Sequence, residues 1–305
     1  MTPRALDPAD GGPVAGEGDP EPAGRMRGPF ETPDRPGAPG LPTSRDGTGG
    51  DSTVVLAAHG SRDPDAAPVV QAIARSVGDR LSARVEVGWL STGEPTFTDI
   101  ATGVAADVVV PLLLGTGYHV LVDIPRGLAG RDAVRPTTGP AHSAGAGTVG
   151  ADRPAPVVTP HLGPAGEVVR ALADRVRAVD PEPVAVVLAA AGTSHPVGRS
   201  ETRQAGDLLS QSLGVPVRVA YAAGAGPDIA EAVLALRESG ARRVTVVPYL
   251  LAPGFFADRI RAAAGRAGAA VAEVLADHPQ IAALVVRRVM EASAAVPPVP
   301  ASRAA

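Results

Sequence analysis

The apolar positions of this chain follow two patterns that alternate along it. Short uninterrupted apolar runs are followed by longer stretches with an apolar residue every third or fourth place. Thr53–Ala58 (TVVLAA) is the first such run, and its lack of alternation predicts a strand buried on both faces. Val69, Val70, Ile73, Val77 and Leu81 then recur at helical spacing within Ala66–Leu81. Arg84–Leu90 predicts a strand. Pro95–Ala105 predicts a short helix with proline at an early position, where its missing N–H costs little. Asp107–Leu114 is a second buried run, Val120–Ala129 is helical in pattern, and Val157–Pro160 is a short fourth strand. Ala165–Val179 closes the series as an amphipathic helix with Val168, Val169, Leu172 and Val176 on one face.

The pattern then restarts. Strands are expected at Val184–Ala189, Val215–Tyr221, Val244–Leu251 and Val271–Leu275. Helices are expected at Ser200–Leu213, Pro227–Ser239, from Gly254 onward and at Ile281–Ala292. The restart is an internal repeat: AVVLAAAGTS (185–194) echoes TVVLAAHGSR (53–62), and VVPYLLAPGFF (246–256) echoes VVPLLLGTGYH (109–119). Strand–helix alternation twice over predicts an α/β fold of two tandem domains, each a small parallel sheet flanked by helices. The expected boundaries are 52–180 and 181–293, with disordered tails at 1–51 and 294–305. Gly, Ala, Pro, Thr and Ser crowd the segment 131–156, which reads as a flexible insertion.

Composition narrows the chemistry. Of the 305 residues 45% are hydrophobic but only 3% aromatic, so the cores must be built from Val, Leu, Ile and Ala. The net charge of −4 offers no basic field for nucleic acid. Cysteine is absent, which removes disulfides, thiolate metal sites and cysteine nucleophiles together. A metal site must therefore use His, Asp or Glu. No apolar run is long enough to span a bilayer, and the first fifty residues hold no apolar leader core, so the expected compartment is the cytoplasm.

Open parallel sheets bind ligands at the carboxyl ends of their strands. Three polar residues of the first half fall there: His59 ends the first strand, Glu94 follows the second, and His119 follows the third. Two imidazoles and a carboxylate make a suitable set for a divalent ion with open positions. Taken singly, each has a plainer reading. A histidine at a strand end is commonly packed or solvated, and a Glu before Pro commonly sits at a helix start for dipole reasons. The repeat separates these readings. The second half has Ala191 in place of His59 and Phe256 in place of His119, yet keeps the apolar pattern. Folding does not need these histidines, which favours chemistry, and places it in one half. His142 lies in the insertion, His161 and His278 in loops after the fourth strands, and His195 in the turn GTSHP, where a structural role is expected.

AAHGSRDP, the Glu-Pro pair after the second strand, and PLLLGTGYHVLVDIP, with Gly117, His119, Asp123, Ile124 and Pro125, resemble the class II chelatases of sirohaem and cobalamin synthesis. The resemblance covers both halves, as two tandem units of that family. It implies that His59 and His119, joined by Glu94, bind a divalent metal (Fe²⁺ or Co²⁺) as substrate and insert it into sirohydrochlorin, a tetrapyrrole. No Gly-x-x-x-x-Gly-Lys phosphate loop is present, so the reaction is expected to run without a nucleotide. Arg62 and Arg126 are candidates to pair with the substrate's carboxylates, or are solvated surface residues. Ser61 is a candidate for the same contact or for capping the following helix. Asp123 either orients His119 or starts a helix. The second half would wall the cleft. Fusion of two units makes a monomer sufficient, with neither nucleic acid nor membrane as partner. A metal or tetrapyrrole carrier without turnover is the alternative. A hydrolase using His59-Gly60-Ser61 is disfavoured because no Gly-x-Ser-x-Gly elbow appears.

Overall fold

A computed structural model describes residues 52–129, 155–224, 226–275 and 278–295. The expected tail 1–51, nearly all of 294–305 and of the insertion 131–156, and His142 lie outside them. The first half runs β1 (Thr53–Gly60), α1 (Ala66–Leu81), β2 (Arg84–Thr92), α2 (Phe97–Gly103), β3 (Val108–Leu112), a π turn (His119–Asp123), α3 (Ile124–Ala129), β4 (Val157–Val158) and α4 (Gly166–Val179). The second half runs β5 (Val186–Ala190), α5 (Pro196–Leu213), β6 (Val217–Tyr221), α6 (Ile229–Glu238), β7 (Thr245–Tyr249), α7 (Phe255–Arg266), β8 (Ala270–Val271) and α8 (Pro279–Ala295). The two sheets are wholly parallel and share one order, β2-β1-β3-β4 and β6-β5-β7-β8. The α/β class and the two flanked sheets are as the patterning predicts.

The unbroken apolar runs divide their side chains between two cores, because a strand turns successive residues to opposite faces. Val54, Leu56 and Ala58 of β1 and Val186, Leu188 and Ala190 of β5 enter one shared cluster with α1, α4, α5 and α8. Val55 and Ala57 face a separate cluster with Phe97, Ile100 and Ile124 of α2 and α3. Val187 and Ala189 face another, with α6 and α7. The helices are exchanged at the shared core: α4 packs on α5 and β7, while α8, from the end of the chain, packs on α1 and β3. Glu167 of α4 meets Arg287 of α8 at 2.8 Å, and that guanidinium holds its carboxyl below the usual range.

Several element ends differ from the pattern's prediction. Pro95 precedes α2 rather than opening it: Thr96 is the N-cap, in a reciprocal capping box with Asp99. β4 and β8 are two residues each, pairing with only the first residues of β3 and β7. The helix expected from Ser200 starts at Pro196, where a missing N–H is harmless. The helix expected from Val120 begins instead as a π turn that includes His119, closed by Ile124 N–H donating to His119 C=O.

Candidate metal site

β1 lies between β2 and β3, so the chain leaves β1 toward one edge of the sheet and reaches β3 on the other side. The crevice at that switch point is where an open parallel sheet receives ligands. His59 stands at the end of β1 and His119 a short loop after β3, and the two face each other there. Their ring centroids are 4.6 Å apart with planes at 88°. His59 is exposed and His119 is half-buried.

Each ring is tethered through the same nitrogen. His59 Nδ1 lies 2.9 Å from the carbonyl oxygen of Gly60, and His119 Nδ1 lies 2.5 Å from Asp123 Oδ2. A carbonyl can only accept, so His59 Nδ1 carries the proton. The Asp123 carboxylate assigns His119 the same tautomer. Both Nε2 lone pairs are left for a ligand, and a metal-binding histidine characteristically has its other nitrogen held by such an acceptor. Local backbone makes the pair possible. A register shift between Ala58 and Gly60 and a φ of 91° at Gly60 turn the chain at His59, where a Cβ on Gly60 would meet Thr92 O at 1.9 Å. The π turn puts His119 and Asp123 four residues apart on one face.

The other expected residues are placed as follows. Glu94 is exposed on the loop before α2 and precedes a cis peptide to Pro95. Among the described residues no three His, Asp or Glu side chains are grouped to hold a metal ion. Ser61 does not cap α1, whose N-cap is Asp65; its Oγ accepts from Asp63 N–H at 3.1 Å. Arg62 and Arg126 are both exposed, Arg126 on α3. Asp123 is both the His119 partner and the last residue before α3. Of the remaining histidines, His195 is the N-cap of α5 without a capping bond, and His278 Nδ1 accepts from Gln280 N–H at 3.3 Å.

Residues the patterning passed over lie along or against the loops that carry the pair. Tyr118 (63% exposed) precedes His119, and Phe255 (66% exposed) occupies the same position in the second half. Phe255 follows Gly254, where a Cβ would stand 2.7 Å from Ser61 Oγ, so the second half's loop closes against the His59 loop. Below them, Thr116, His161 and Glu201 form a polar cluster, and the buried Tyr249 hydroxyl donates to Leu114 C=O at 3.0 Å. Burial, and then the Glu201 charge, push the Tyr249 hydroxyl's pKa well above its ordinary value. One signal in the sequence marks this cluster: the repeat has Pro253 for Thr116 and Val69 for Glu201.

Known proteins share this architecture and part of this sequence. A sirohydrochlorin cobaltochelatase of Methanopyrus kandleri is 41% identical over 79 residues, 24% of this chain and 55% of that protein. Its namesake from Methanocaldococcus jannaschii is 37% identical over the same length. The match thus spans about half of these relatives. Among solved structures, SirB from Bacillus subtilis with Fe³⁺ superposes with a TM-score of 0.64 at 23% identity, over 80% of this chain and 96% of that one. A CbiX described as the terminal enzyme of sirohaem biosynthesis in denitrifying bacteria superposes at 0.54 with 18% identity, over 81% of this chain and all of its own. At these identities the structures establish the fold. Among the described residues no helix is long and apolar enough to cross a membrane. The CbiX family model matches residues 53–179 and again 185–292, and with both halves covered the chain belongs to the CbiX family.

Proposed function

We propose that this protein is a sirohydrochlorin chelatase that inserts a divalent metal, Fe²⁺ or Co²⁺, into the tetrapyrrole without nucleotide hydrolysis. The observation that carries the reading is the pair of imidazoles at the sheet's switch point, each tethered at Nδ1, which supports Nε2 as the ligating atom. Family membership and the names of the curated relatives support it.

The chemistry follows from the two lone pairs. Neutral imidazole is a good ligand for late first-row divalent ions and a proton acceptor near neutral pH. Insertion of M²⁺ into the macrocycle releases two N–H protons, so charge is conserved. As the metal passes from the Nε2 atoms to the macrocycle nitrogens, the vacated lone pairs can take those protons. Asp123 holds His119 Nδ1 and so orients the ring. Exposed Tyr118 and Phe255 offer ring faces to a flat conjugated substrate, and Arg259, with its guanidinium carbon 5.6 Å from the Phe255 ring centroid, offers a cation to its periphery. Ser61, Arg62 and Arg126 are proposed as further contacts to its carboxylates. Glu94 is proposed to assist from the rim. The enzyme is proposed to act as a cytoplasmic monomer, and a solution mass showing an obligate dimer would count against the latter.

The test is anaerobic metal insertion into sirohydrochlorin, followed by absorbance, with Fe²⁺ and Co²⁺ separately. Acceleration over the uncatalysed rate that is lost in His59→Ala and His119→Ala is expected. Tight binding of metal or tetrapyrrole with no acceleration would replace the enzyme by a carrier.

A further inference from the structure

The second half has neither histidine, yet it touches the loop that carries one of them. Between β3 and His119 the chain passes Leu114, Gly115 and Thr116, and residues beyond position 160 hold this stretch at several points. Glu201 of α5 accepts from the Thr116 backbone N–H at 2.6 Å and from the Thr116 hydroxyl at 2.8 Å. His161 Nε2 lies 3.2 Å from both that hydroxyl and Glu201 Oε1. Tyr249 holds Leu114 C=O. Gly198 lies so close beneath the loop that a Cβ there would stand 2.2 Å from Thr116 O. The carboxylate is mostly shielded, with 18% of its side chain exposed, and charge-assisted bonds in such a setting are the stronger kind.

The repeat serves as an internal control. The stretch from Thr53 aligns without a gap to the stretch from Ala185, and both halves leave their first helix through a left-handed cap, Ser82 at φ 49° and Gly214 at φ 72°. On this alignment Glu201 corresponds to Val69. The loop after β7, which leads to Phe256, has Pro253 where the first half has Thr116. That loop therefore has no N–H to donate at this position, and the position aligned with Glu201 is Val69, which has no carboxylate to receive one. Donor and acceptor occur together only where the loop ends in a histidine.

We propose that Glu201 is a positioning residue for the metal site. By fixing Thr116 it sets where His119 stands relative to His59, and this is a task of the histidine-free second half beyond walling the cleft. The inference rests on reading the two histidines as metal ligands. It predicts loss of metal affinity and turnover with little loss of tetrapyrrole binding.

The test uses the full chain with Glu201→Ala and Glu201→Gln. Amide exchange in the 113–119 segment should quicken by about tenfold or more in the alanine variant, with exchange in α1 unchanged. Co²⁺ affinity should fall by roughly tenfold, as it does when a ligand's supporting partner is removed, with kcat for insertion falling alongside it and KM for sirohydrochlorin holding within about threefold. The glutamine variant keeps an oxygen acceptor for the Thr116 N–H and should restore most of each. If the alanine variant does not fold, Thr116→Val removes one of the two bonds and should shift the same quantities less. Unchanged loop exchange in Glu201→Ala, or a loosened loop with unchanged Co²⁺ affinity, would overturn the proposal. Absence of insertion in the unsubstituted protein would instead sink the chelatase reading, and the exchange and Co²⁺ comparisons would still decide the role of Glu201.

Discussion

The two halves of this chain share a sheet order and diverge at the rim. Features that the backbone requires are kept in both. Gly60 and Gly192 have positive φ, and each faces a carbonyl that a Cβ would strike, Thr92 O and Ala223 O. Trp89 and Tyr221 each donate a backbone N–H to the proline that ends the next loop, Pro95 and Pro227. Thr96 and Asp228 each close a capping box. What differs is the set of side chains that can bind a metal or move a proton. His59, His119 and Asp123 stand where the second half has Ala191, Phe256 and Ile260. A fold that forms equally well with and without a set of residues does not depend on them, so their presence in one copy is evidence for chemistry.

The largest effect that could break this contrast comes from the histidines. His59→Ala or His119→Ala should abolish insertion and lower Co²⁺ affinity by about a hundredfold or more, with the melting temperature little changed, because both lie at the surface of the crevice. Calorimetry with and without Co²⁺ checks both parts, and a histidine variant that unfolded would return the residue to the structural reading.

The shared core comes next. Leu284 of α8 is fully buried and packs across the halves, so Leu284→Ala should cost about 3 kcal/mol. Unfolding should remain a single transition, followed by the fluorescence of Trp89 in the first half and by far-UV circular dichroism of the whole. Separate transitions would show that the halves are independent after all.

A smaller effect sharpens the comparison from the other side. Grafting Ala191→His with Phe256→His leaves Ile260 where Asp123 would be needed, so the grafted pair should bind Co²⁺ at least about tenfold more weakly than the native pair. Adding Ile260→Asp should recover part of the difference, read by titration in a background without His59 and His119.

The smallest effect concerns the ion pair that joins α4 to α8. Arg287 lowers the carboxyl pKa of Glu167 in the folded state. Below an unfolded value of about 4.3, the unfolded chain binds the proton that the folded one resists, so this contribution is complete at neutral pH and is lost as pH falls through the depressed value. The stability gap between wild type and Glu167→Gln should therefore close on acidification below about pH 4, and a gap that widened would reverse the assignment.

Much of this was legible locally. The predicted helix Ala66–Leu81 has the bounds it was given, because five apolar residues at helical spacing define one buried face. The ends that differ are those where a neighbour decides. β4 stops where β3 ceases to pair with it, and α2 starts at the capping box of Thr96 and Asp99 rather than at Pro95. The histidines were visible as strand-end residues, but their shared tautomer depends on Gly60 C=O and on a π turn that periodicity does not encode. Glu94 was visible as the residue after the second strand, but chain spacing does not encode how near the loop before α2 comes to the histidines.

By itself the sequence determined the element types, the repeat, the parallel sheets and the two histidines. Each of these is written in the spacing of apolar residues over a few positions or in the comparison of one half with the other. Only the tertiary structure decided that α4 and α8 change sides, that the histidine rings meet, and that Glu201 holds Thr116 from 85 positions away. Local periodicity says which face of an element is apolar, and is silent about which other face will cover it. A polar pair so far apart in sequence forms only because packing has already brought its two backbones together.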